Sequence, residues 1–166
     1  DHVANTMPAP YYRFDGSNGT EIIVGDDPSI DFGTGSFSLS FRYLIPSGDT
    51  TVGWLCWKGA TTSGGQGYGI INTSGGASRL LIGDGTDEID LSAGTATNDG
   101  KWHSVIATFD SSTGVGNLYT DGVLDGTQTN ASVGDKSNAD DLYIGSNNSQ
   151  EIIGQISDVK LYNLAL

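Results

Sequence analysis

From residue 11 to residue 166 the chain runs in short apolar stretches, each parted from the next by a cluster of Gly, Asp, Asn and Ser. Turn-forming residues at that spacing leave room for strands and tight connections, and no stretch carries a helix of convincing length. The clearest stretch is residues 37–45, where Phe37, Leu39, Phe41, Tyr43 and Ile45 alternate with Ser38, Ser40, Arg42 and Leu44. A period of two gives one face to a core and the other to water, and Pro46 closes the run. Further strands are expected in TEIIVG, TVGWLCWK, GYGIIN, RLLIG, EIDLS, WHSVIATFD, GNLYTDG, DLYIG and IIGQISDVKLYN, with Asp-Gly hairpins in IGDGTDEIDL and LYTDGVL. About ten strands or more in one chain suit an all-β fold, a two-sheet antiparallel β-sandwich.

Composition agrees. Gly makes up 25 of 166 residues, well above the usual share of about 7%, and its scatter among apolar runs signals turns rather than disorder. The length suits one domain with a two-layer core. Twenty acidic against seven basic residues give a net charge of -13. That charge repels nucleic acid and anionic lipid headgroups, and it attracts divalent cations. Cys56 is the single cysteine, so no intramolecular disulfide forms. No run is long and apolar enough to span a membrane, and no signal sequence opens the chain. Residues 1–10, DHVANTMPAP, read as an arm or linker end, with the sandwich occupying residues 11–166. Because the chain opens on Asp1 rather than Met, a processed product or a piece of a longer polypeptide is expected.

Six stretches, in this order, carry a resemblance: YYRFDGSNGTEIIV, GSFSLSFRYLIP, WKG followed by GYGI, DGKWHSVIATFD, LYTDG and the closing IGQISDVKLYNLAL. Together the chain resembles the laminin-G-like, concanavalin-A-like jelly-roll domains. That resemblance implies two curved antiparallel sheets used for recognition of glycans or of matrix and surface proteins, sometimes with calcium. It also implies an extracellular or virion-surface setting.

The candidate site residues follow from strand parity. In GWLCWKG, Trp54 and Trp57 stand three apart and take opposite faces unless a bulge intervenes. Trp54 shares a face with Val52 and Cys56, which favours Trp54 inside and Trp57 toward a ligand. Burial of both indoles is the alternative, since central strands can be apolar on both faces. Tyr68 and Tyr143 are expected to add outward aromatics, and Gln66, Asn147 and Asn148 to add loop amides. Aromatics beside amides form the mix a neutral glycan needs, whereas Arg42, on the polar face of its strand, suits a carboxylate or sulfate. Trp102 and His103 are read as packing groups. For calcium, which takes six to eight oxygens, the resemblance points to Asp15 and Asp158 on neighbouring first and last strands.

Catalysis is not expected. Related sandwiches that hydrolyse glycosides carry Glu-x-Asp-x-x-Glu on one strand; here Glu88 and Asp90 are followed by Ala93 at the position of the second glutamate. Double displacement at a glycosidic bond needs both carboxylates. The sequence therefore reads as a non-catalytic carbohydrate-binding module. A structural or adhesive surface domain that contacts a neighbouring protein is the rival reading.

Overall fold

The computed structural model describes residues 10–59, 65–147 and 149–166. Twelve strands, numbered in chain order, form two six-stranded sheets among the described residues. Sheet A runs β1 (Tyr12–Asp15), β12 (Ile153–Tyr162), β3 (Phe37–Leu44), β8 (His103–Asp110), β9 (Val115–Thr120) and β10 (Val123–Thr129). Sheet B runs β2 (Ile22–Val24), β11 (Leu142–Ile144), β4 (Gly53–Gly59), β5 (Gly67–Asn72), β6 (Ala77–Gly83) and β7 (Glu88–Ala96). Neighbouring strands pair antiparallel throughout. The described residues include one 3-10 turn, Pro28–Ile30, and no helix long and apolar enough to cross a membrane. The two-sheet antiparallel sandwich expected from the sequence is what forms.

The alternating run that became β3 sends Phe37, Leu39, Phe41 and Tyr43 into the gap between the sheets, where they meet Ile70, Leu80, Ile82 and Ile89. Two tyrosines bring polar tips into this core, and each finds a partner. The Tyr43 hydroxyl lies 2.8 Å from Ser78 Oγ and 2.6 Å from Thr97 Oγ1, joining sheet A to sheet B. The Tyr68 hydroxyl donates to the Ile30 carbonyl at 2.8 Å and so anchors the 3-10 turn.

Strand β4 departs from simple alternation. Trp54 lies opposite Ile71, yet Cys56 lies opposite Ile70 and Trp57 opposite Gly69, so Leu55 is an extra residue. This bulge lets Leu55 and Cys56 both join the main core while Trp54 and Trp57 both fall on the outer face of sheet B. The two indoles pack at 4.1 Å between ring centroids, beside Ile71 and Leu81, and each is only 3% exposed. The alternative, burial of both indoles, is what forms: Trp54 is buried, though outside the main core, and Trp57 does not reach solvent as the favoured split expected. Trp57 Nε1 donates to the Gly59 carbonyl at 2.9 Å, and its ring lies where a Cβ on Gly69 would stand.

Candidate functional site

The outer face of sheet A carries the aromatic and cationic groups that remain open. Strand register sets Arg42 between Ser157 of β12 and Ser104 of β8, all on the face turned away from the core. Since Tyr12 pairs with Ile156, Tyr11 extends the same row beyond Ser157. Arg13, Gln155 and Leu44 form the adjacent row. Trp102, which leads into β8, swings onto this face as Ser104 does. Its ring lies 5.7 Å from the Arg42 guanidinium carbon, and the Tyr11 ring meets it edge-on at 5.8 Å between centroids. Tyr11 is 44% exposed, Arg42 is exposed and Trp102 is half-buried. A guanidinium held over an indole keeps its planar fork of donors in place. The result is a flat, part-wet apolar surface beside a fixed cation and several hydroxyls, able to stack a sugar ring and donate to its oxygens.

A polar cluster holds this face from behind. His103 Nδ1 lies 2.7 Å from Asp121 Oδ2, and Nε2 lies 3.0 Å from Asp99 Oδ1. Asp121 also accepts the Ser104 N–H at 2.8 Å, and Asp99 accepts the Lys101 ammonium at 2.8 Å. The Lys101 and His103 bonds hold the Asp99 carboxyl well below the usual carboxylate range. The Ser104 N–H lowers the pKa of the Asp121 carboxyl. Burial works against a charged His103 ring, but bonds to the two aspartates outweigh it and raise its pKa.

Of the residues singled out from sequence, Arg42 reaches this face. Tyr68 is fully buried, and its expected outward position is corrected: it shares the inward face with Ile70, and burial pushes its phenol far up. Trp57 is likewise covered, as described. Tyr143 points away from Leu142 and Ile144 as expected, but on sheet B, directly opposite Trp57, where it is half-buried. Gln66 donates to the Asp135 carbonyl at 3.0 Å, a loop-to-loop tie. Asn147 is buried and uses its amide oxygen to accept from the Ser149 and Gln150 N–H groups at 3.2 and 2.9 Å. Asn148 lies outside the described residues, as does nearly all of the 1–10 arm. Sequence reasoning missed Trp102, although its parity with Ser104 placed it on the outer face.

The aspartates expected to share calcium do not meet. The first and last strands are neighbours, but Asp15 pairs with Ile153, five positions from Asp158 on β12. That is roughly 15 Å along a strand. Asp15 instead accepts the Ser17 N–H in an exposed turn, and Asp158 sits at a bulge with φ 58, lining an open rim pocket of about 420 Å³ with Tyr12, Ile22 and Ile156. Among the described residues no three His, Cys, Asp or Glu side chains converge as a metal site. One oxygen cage does occur, and a side-chain ammonium fills it. Lys58, wholly buried, places Nζ 2.8 Å from Asp26 Oδ1, 3.2 Å from Asp31 Oδ1, 3.0 and 3.3 Å from the Asn138 carbonyl and amide oxygens, and 2.7 Å from the Asp140 carbonyl.

With fold and face in view, comparison with known proteins places the chain. The profile of a laminin G family, described as the Concanavalin A-like lectin/glucanases superfamily, matches residues 15–166. The chain belongs to this family. Among solved structures this laminin G-like domain is similar to the binding domain of Paraclostridial Mosquitocidal Protein 1, at 17% identity and a TM-score of 0.76, over 93% of this chain and 40% of that one. It is also similar to domains LG4-5 of mouse laminin alpha1, at 17% identity and 0.66, over 90% and 40%. The botulinum neurotoxin serotype G binding domain matches at 14% identity and 0.70, over 94% and 40%. The laminin G-like domain thus spans about two-fifths of each of these chains, and at such identities the likeness is one of fold. No curated protein matches it.

On β7, the strand that carries Glu88 and Asp90, the inward positions Ile89, Leu91 and Ala93 are buried. Asp90 forms a two-armed ion pair with Arg79 of β6, and Ala93 packs into the core. The position of a second glutamate is therefore an inward-facing methyl group.

Proposed function

We propose that the domain is a non-catalytic carbohydrate-binding module acting outside the cell or on a virion surface, with its ligand lying across Tyr11, Arg42 and Trp102. The observation that carries this reading is the exposed Arg42 fork held over the Trp102 ring, flanked by Tyr11. Stacking supplies affinity for the apolar face of a sugar, and the guanidinium, Ser104 and Gln155 supply donors and acceptors for its oxygens. A glycan array followed by titration calorimetry tests it. Trp102→Ala is expected to lose about 0.5–1.5 kcal/mol of stacking, and Arg42→Ala to weaken binding further without unfolding the domain. Absence of any glycan ligand, or equal affinity in both variants, would reject the reading.

Protein contact is the second reading, favoured by one observation. Val123 and Leu124, on the edge strand β10 of the same sheet, are 69% and 53% exposed. Adjacent exposed apolar side chains at the start of that strand offer a surface against which another protein can pack.

A further inference from the structure

Trp102 reaches the binding face through a turn that ends in His103, and both nitrogens of that imidazole face carboxylates. Nδ1 is 2.7 Å from Asp121 and Nε2 is 3.0 Å from Asp99. An ionised carboxylate only accepts, and a neutral imidazole has one N–H. Both contacts are hydrogen bonds only when the ring is the imidazolium; either neutral tautomer turns a lone pair toward one aspartate.

The two aspartates belong to different turns. Asp99 also accepts the Lys101 N–H at 2.9 Å, and its second oxygen accepts the Lys101 ammonium. Asp121, at φ 51 in the turn between β9 and β10, accepts the Ser104 N–H. From β3, Tyr43 tilts against the ring at 6.4 Å, its phenol kept neutral by burial. Asp99, with Lys101 paired to it, and Asp121 are thus the charged groups facing the imidazole, whose side chain is 13% exposed. The ring bolts the 99–101 turn to the 121–122 turn, one residue from Trp102.

We propose that His103 is a positioning residue and a proton-operated latch for the binding face: its imidazolium fixes Trp102 against Arg42 and Tyr11, and loss of the proton at alkaline pH loosens that arrangement. The consequence for affinity rests on the glycan reading above; the latch itself is measured without any ligand.

The test is an NMR titration of the free wild-type domain from about pH 5.5 to 9, the His103 ring being assigned by comparison with His103→Gln. The ring midpoint is expected above the ordinary imidazole value, and the Trp102 indole N–H signal is expected to move with the same midpoint. Asp99→Asn, which keeps the side-chain shape and removes one charge, is expected to lower the midpoint. A midpoint at or below the ordinary value, or a Trp102 signal indifferent to it, overturns the latch, even if His103→Gln fails to fold. With a glycan identified on the array, affinity should fall roughly fivefold across the same midpoint, the loss of about one hydrogen bond. A ring and Trp102 that titrate together in a domain binding no glycan would keep the latch and reject the glycan reading; affinity without a step at that midpoint would reject the latch.

Discussion

Lys58→Met keeps the apolar stem of a fully buried side chain and removes its charge, leaving two carboxylates, two carbonyls and an amide oxygen converging on no cation. Breaking a buried ion pair by removing one partner costs about 3–5 kcal/mol. The loss here is expected toward the lower end, about 3 kcal/mol, because the Asp26 and Asp31 side chains, 37% and 21% exposed, can turn partly to water. Against a total of about 5–15 kcal/mol for a domain, that is a large fraction. It corresponds to a fall in Tm of roughly 6–12 °C for a chain of this size. Urea unfolding at neutral pH measures the difference between wild type and variant. Repetition in an Asp26→Asn/Asp31→Asn background tests its origin, since removing the uncompensated charges takes away part of the repulsion and narrows the gap. A loss under about 1 kcal/mol, well below the range for a broken buried pair, or a gap that the double substitution leaves unchanged, would refute the view that this ammonium organises the cage.

Three further outcomes are expected. Gly69→Ala forces a Cβ into the Trp57 ring and should cost about 1–3 kcal/mol, with a changed near-ultraviolet circular dichroism signal from the Trp54–Trp57 pair. Cys56, whose thiol burial pushes up to about 12, should resist thiol reagents in the folded domain and react only on unfolding. The His103 pKa is raised in the folded state, so its contribution to stability is full below the ordinary imidazole value and is lost as pH rises through the raised one. Denaturation across that range should show the gap between wild type and His103→Gln shrinking with alkalinity; a gap that widens would contradict the assigned bonds.

Strand positions were legible because apolar alternation reports directly on a surface with two faces. Residues 37–45 announced the buried face of β3 and its end before Pro46. Parity failed where a single bulge entered: nothing in GWLCWKG marks Leu55 as an extra residue, and once it is inserted both tryptophans change company. In GYGIIN the difficulty is different, because Ile70 and Ile71 are both buried and alternation alone cannot choose the side of Tyr68. The neighbouring first and last strands were foreseen, but their stagger, which separates Asp15 from Asp158, depends on pairing register and the β12 bulge. Lys58 was invisible as a buried group, since its partners come from segments as far as 82 positions away. Arg42 was found because an exposed strand face is a local property; the ring that completes its surroundings needed the approach of β8 and β1.

The most direct test of the binding face is chemical-shift mapping on the isotope-labelled domain, titrated with the glycan that ranks first on an array. Shifts confined to Tyr11, Arg42, Trp102, Ser104 and Gln155, saturating with one binding constant and abolished in Trp102→Ala, are the predicted result. Shifts gathered on sheet B around Tyr143, or a pattern that Trp102→Ala leaves intact, would contradict the account.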